Sequence, residues 1–206
     1  MRCFVSLPVP EDVRAHLDAF LEPRRLAEDT LRWSSPERWH LTLAFMPDVS
    51  EVDLEDLQER LEAACARRRP LELRLRGGGV FGSARKARVL WANVAMPASD
   101  REELDLLAVG ARHAAAAAGT VVEGGQFVPH LTLARTPRPR ELGHLLQVLD
   151  VYESPSWTAR SADLVASELT PVVRHEVLST HRLGPPDPDE EKWWRRGILG
   201  RQEPAE

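Results

Sequence analysis

Along LELRLR, residues 71–76, apolar and charged positions alternate strictly, so Leu71, Leu73 and Leu75 share one face of a strand and Glu72, Arg74 and Arg76 the other. Gly77, Gly78 and Gly79 follow and are read as the end of that strand. Elsewhere apolar residues recur at spacings of three and four. Val13, Leu17 and Phe20 or Leu21 form one stripe behind Pro10 and two acids, and Leu54, Leu57, Leu61 and Ala64 or Cys65 form another within residues 51–68, so both segments are predicted helices. Further helices are expected over 100–118, closing at Gly119, and over 141–149. Residues 3–7, 31–33, 40–46, 89–96, 127–134, 157–167 and 172–183 read as extended.

Strand and helix patterns thus recur in both halves of the chain. So does a specific string: HLTLA occupies residues 40–44 and again 130–134. The expectation is one α+β domain of two lobes of similar build facing each other. The body runs over 1–183. From Gly184 the text turns rich in Pro and charge, and 184–206, with the Trp193-Trp194 pair, reads as a tail that packs loosely or not at all.

At 206 residues, with 43% apolar and 29% charged residues, the chain has ordinary globular composition. A formal charge of −5 argues against an indiscriminate polybasic nucleic-acid binder, so any anionic ligand needs a local patch. Residues 67–88 hold eight Lys or Arg and one acid, Glu72, and are read either as a solvated face or as contacts to an RNA backbone. Cys3 and Cys65 make neither a disulfide framework nor a Cys-x-x-Cys pair. With Pro8 and Pro10 cutting the first apolar run, and no stretch of ~20 apolar residues, the chain reads as soluble and cytoplasmic. A monomer without a membrane partner is expected.

On a strand, His40, Thr42 and Ala44 share one face over Leu41 and Leu43, and His130 and Thr132 are presented in the same way. Facing lobes would bring two imidazoles and two hydroxyls into one cleft. Near neutral pH one imidazole can be neutral and the other protonated, which suits concerted proton transfer at phosphorus, while Thr hydroxyls suit the non-bridging oxygens. Two His and two Thr without a carboxylate or thiolate make a poor zinc set, so no metal and no cofactor is expected. His16, His113, His144 and His181 are read as satisfied core or surface residues, and Trp39 as a packing residue or a stacking surface for a base. By strict alternation Arg135 lies on the leucine face.

RWSSPERWHLTLAF, PLELRLRGGGVFGSARKARVLWANV and FVPHLTLAR resemble the RNA 2′,3′-cyclic phosphodiesterases of the two-histidine phosphoesterase superfamily, also called 2′-5′ RNA ligases. The likeness runs from about residue 2 to residue 183. It implies a bilobal fold with two antiparallel sheets around a cleft, and metal-free opening of an RNA-terminal 2′,3′-cyclic phosphate to a 2′-phosphate. It further implies that His40 protonates the departing 3′-oxygen, that His130 activates water, and that Thr42, Thr132 and Arg135 bind the phosphate. Pro47 stands where such proteins commonly have Gly, and His175 where a Tyr is common. The alternatives are an RNA or nucleotide binding module without turnover, 2′-5′ ligation, and hydrolysis of a small cyclic nucleotide.

Overall fold

A computed structural model describes residues 1–169 and 173–185. The tail beyond 185, Trp193 and Trp194 included, and the first residue of the strand expected over 172–183 lie outside the described residues. Nine strands and four α-helices are present among those described: β1 (Cys3–Pro8), α1 (Glu11–Ala27), β2 (Arg32–Trp33), β3 (His40–Met46), α2 (Leu54–Ala66), β4 (Leu71–Phe81), β5 (Ala87–Ala95), α3 (Ala98–Ala117), β6 (His130–Arg140), α4 (Gly143–Asp150), β7 (Trp157–Ala159), β8 (Ser161–Glu168) and β9 (Arg174–Arg182). The α+β class follows directly.

Every strand pairing is antiparallel, in the order β7-β4-β5-β6-β3-β1-β8-β9, with β2 added on β6. The two motif strands, β6 and β3, are therefore central neighbours, with three strands continuing outward on each side. The halves expected as two sheets form one hydrogen-bonded path, joined where Leu41 pairs with Leu131. A four-strand ladder on either side of that join accounts for the repeated pattern in the sequence.

The sheet must curl. Only Arg160 separates β7 from β8, yet these strands stand first and seventh in the order. In a flat sheet six strand spacings of ~4.8 Å would part them by about 29 Å, and one residue spans roughly 3.5 Å. The extended run expected over 157–167 is thus two strands, which bond to β4 and to β1 on opposite flanks.

Leucines fix which face the helices cover. Leu41, Leu43, Leu131 and Leu133 are almost fully buried in one apolar cluster with Leu57 and Leu61 of α2 and Leu104 and Leu107 of α3. Each contributes about 1.5–3 kcal/mol by leaving water. Pro10 and Pro97 precede α1 and α3, and the chain leaves α3 through Gly119 at φ +82°. The glycines after LELRLR do not end β4, which runs on to Phe81. Gly77, at φ +70°, sits in a register shift between Leu75 and Gly78 and donates its N–H to the Tyr152 carbonyl, while Gly78 and Gly79 leave room for Leu149 and the Trp91 ring.

Candidate active site

The two copies of the motif fold alike, residue by residue. In each, His and Thr are half-buried while the two Leu and the Ala are buried. Each strand also carries a bulge at the same place. Against β1 the register passes from Thr42 to Ala44, and against β5 from Thr132 to Ala134, so Leu43 and Leu133 are the extra residues. A bulge shifts the side-chain phase by one. Leu and Ala then both point into the core, and the next residue returns to the histidine face. Arg135 is accordingly exposed in place of the buried position that strict alternation gives it. Its counterpart in the first copy is Phe45, with the Arg2 guanidinium 4.5 Å above its ring.

Both imidazoles are held by the same device. His40 Nδ1 lies 2.8 Å from the Arg38 carbonyl and His130 Nδ1 lies 2.7 Å from the Val128 carbonyl, in each case two residues earlier. A carbonyl only accepts, so Nδ1 carries the proton and Nε2 is the nitrogen that exchanges one. Rings fix the planes. Phe4 stacks on His40 with centroids 4.4 Å apart, and Phe81 meets His130 edge-on at 4.8 Å with Trp91 at 5.9 Å.

Low dielectric around these rings disfavours the imidazolium. Burial pushes His40 down to about 4, with His175 and His130 adding to the push and the Arg38 carbonyl opposing it. Burial also lowers His130, against the Val128 carbonyl, and the Arg135 charge lowers it further. In the free protein both imidazoles therefore favour the neutral form at neutral pH. An anion bound between the two rings would oppose this by stabilising whichever ring is protonated.

Phe4 escapes sequence reading, and His175, which stands where a Tyr is common, gains a place. His175 lies against both Phe4 and His40, at 5.1 and 5.5 Å between centroids, and burial, Arg38 and Arg2 lower its pKa. Phe4 was hidden because β1 is apolar almost throughout, with no alternation to mark a face. Trp39, read as a packing residue or a base-stacking surface, is buried and packs in the core. In the basic stretch, Arg68 pairs with Glu103, Arg69 with Asp100, and Arg74 and Arg76 share Glu153, so half of its cations meet a carboxylate of the protein itself. His16 contacts the Tyr152 hydroxyl, His144 contacts Glu28 and Glu141, and His181 is held between Glu62 and Ser179. A groove of ≈ 270 Å³ on the α3 face, lined by Arg101, Asp105, Arg112 and Phe127 among others, includes no residue of either motif. Among the described residues no group of three or more His, Cys, Asp or Glu is placed to hold a metal ion, and no helix is long and apolar enough to cross a membrane.

Known proteins resemble this chain in sequence and in fold. The family profile "LigT like Phosphoesterase" matches residues 7–91, which include the first motif. The chain is 30% identical over 177 residues to a Thermus thermophilus protein named RNA 2′,3′-cyclic phosphodiesterase, covering 83% of this chain and 84% of that protein. It is 29% identical over 179 residues to a Methanothermobacter thermautotrophicus protein of the same name, covering 83% and 92%. A crystal structure of a Thermus thermophilus protein superposes with a TM-score of 0.68 at 27% identity, over 91% of this chain and all of that one. Escherichia coli LigT in its apo form gives 0.71 at 23% identity over 89% and 97%, a likeness of fold.

Proposed function

We propose that this chain, which belongs to the LigT-like phosphoesterase family, opens the 2′,3′-cyclic phosphate at an RNA end by hydrolysis and leaves a 2′-phosphate, with residues 1–183 as the phosphoesterase domain. The observation that carries the reading is the matched pair of imidazoles, each with Nδ1 anchored on a backbone carbonyl. Binding alone has no use for two such groups. The shared names of the relatives support the same substrate class.

His130 Nε2 accepts a proton from water as its oxygen attacks phosphorus, and His40 Nε2 gives a proton to the departing 3′-oxygen. The P–O3′ bond breaks, the new P–O bond forms, and the 2′-ester bond survives. Thr42 and Thr132 hydroxyls, with the Arg135 guanidinium, meet the non-bridging oxygens as charge builds on them. After product leaves, the proton gained by His130 and the one lost by His40 exchange with solvent.

The test is a short RNA ending in a 2′,3′-cyclic phosphate, incubated with the protein in EDTA, with the product phosphate located by its sensitivity to 2′- or 3′-specific ligation or phosphatase treatment. A 2′-phosphate is expected. A 3′-phosphate, or no turnover, overturns the reading.

A further inference from the structure

Three cationic or cation-forming side chains crowd the His40 side of the cleft with no carboxylate ion-paired to them among the described residues. Arg2 precedes β1, and its guanidinium lies 4.5 Å above the Phe45 ring. Arg38 is the residue whose carbonyl holds His40, and its Nε reaches only the Ser35 hydroxyl. His175 sits edge-on to His40 and Phe4, and both arginine charges act on it. Arg68, Arg69, Arg74 and Arg76, by contrast, each meet a carboxylate. Glu37, next to Arg38, is exposed and makes no ion pair with it, although after its own N–H, Ser35 and Arg14 the Arg38 charge helps to hold its carboxyl low. On β9, Arg174 and Glu176 flank His175 and by alternation point to the other face.

Like charges held together at a cleft are costly unless an anion completes them. A guanidinium held over a ring by cation–π attraction still has N–H donors to offer such an anion. The scissile phosphate is not that anion, because it lies between the two motifs, bracketed by His40 and His130. The direction of the reaction says what else is present. In-line displacement puts the departing 3′-oxygen opposite the attacking water, so the ribose bearing it lies on the side of the acid, His40. The next charged group on that ribose is the phosphate on its 5′-oxygen.

We propose that Arg2, Arg38 and His175 form a second phosphate subsite, which holds the phosphate on the 5′-oxygen of the ribose that carries the cyclic phosphate. This rests on the reaction proposed above, with His40 as the acid. The subsite makes the protein a reader of RNA ends that carry a 5′-side phosphate, in preference to free nucleoside cyclic phosphates. Its occupancy also places negative charge beside His40, where it favours the protonated acid.

Equilibrium binding separates this claim from turnover. Dissociation constants are measured by calorimetry for a nucleoside 2′-phosphate, the matching nucleoside 2′,5′-bisphosphate, and a dinucleotide ending in a 2′-phosphate. The bisphosphate and the dinucleotide are expected to bind about tenfold more tightly than the monophosphate, as charge-assisted contacts to one more phosphate imply. In R2Q and R38Q, each checked for an unchanged thermal midpoint, that ratio falls toward one; H175Q lowers it less. R101Q, on the far face and paired with Asp105, keeps the full ratio. Equal affinities in the unmodified protein overturn the subsite, as does an advantage that survives both arginine substitutions. A gain shown by the dinucleotide alone also overturns it, because the second nucleoside is then what binds. Hydrolysis of the cyclic phosphate, assayed separately, decides the reaction itself.

Discussion

Leu41 and Leu131 face each other across the centre of the sheet as the register pair that joins its two halves. Each leucine follows its histidine and precedes its threonine, so His40 and Thr42 flank the join on β3 as His130 and Thr132 flank it on β6. The two motifs are thus related by a local twofold that runs between the leucines.

If the two imidazoles act in one step, as proposed, removing either should lower kcat/KM by about 10²–10⁴, the usual range for a general acid or base. Groups that work as a unit are not additive. The H40A/H130A double variant is expected to be little worse than the poorer single variant. Full additivity of the two losses in a kinetic cycle would show that they act independently.

The threonines predict a smaller loss. T42A and T132A should each cost up to roughly 10² in kcat/KM, since water replaces part of a lost phosphate donor, and T42S and T132S should keep most of the activity because the hydroxyl remains. Equal losses for Ser and Ala would place the contribution in the methyl group.

Gly77 and Gly79 separate backbone conformation from space. A Cβ on Gly77 meets nothing within 4 Å but faces φ +70°, so G77A should cost about 1 kcal/mol through strain alone. On Gly79 a Cβ would fall on the Trp91 ring, which lies against His130. G79V should cost roughly 1–3 kcal/mol in chemical denaturation and also lower kcat, by displacing Trp91. Unchanged kcat in G79V would mean that Trp91 does not help to place His130.

Acid sensitivity has a named contributor in Asp100, which joins α3 to β4. Burial alone would raise its pKa, but it accepts from Arg69 Nη2 at 2.7 Å, the Glu72 N–H at 2.6 Å and Ser99 Oγ at 3.2 Å, and the net shift is downward. A folded value below the unfolded ~3.9 stabilises the fold above pH ~4, and that stability is lost as pH falls through the folded value. D100N should therefore lower stability at pH 7 by about 1–3 kcal/mol, with the gap from the unmodified protein narrowing toward pH 3. A gap that does not change with pH would remove Asp100 as an acid-labile contact.

The motif strands were legible because strict alternation around two identical strings leaves little freedom: both histidines and both threonines stand together on the face opposite the leucines. Helices were legible from spacing to within a few residues. What the local pattern concealed is non-local. The bulges at Leu43 and Leu133 that bring Arg135 round depend on pairing with β1 and β5, not on composition. Arg160, one residue between two strands on opposite flanks, looks like the middle of a single strand until the sheet curls. The glycine run after Arg76 carries the usual signal of a strand end, yet serves close packing against Trp91 and Leu149.

The pH dependence of kcat/KM tests the paired proton transfer most directly, because that quantity reports the free protein and the free substrate. The proposed transfer needs His130 neutral and His40 protonated at one moment. With His40 pushed to about 4 by burial and its imidazole neighbours, and His130 also lowered by burial, both limbs of the bell should lie below the ordinary histidine value of ~6.5. The two limbs belong to the coupled pair. For kcat the bound phosphate stabilises the imidazoliums, so that bell should move to higher pH. Replacing His130 should abolish the rising acidic limb of the residual activity, and replacing His40 the falling basic limb. A bell centred below pH ~6.5 that loses one limb in each variant is the predicted result; a profile flat from about pH 4 to 9 in the unmodified protein, with chemistry rate-limiting, would contradict proton transfer by His40 and His130.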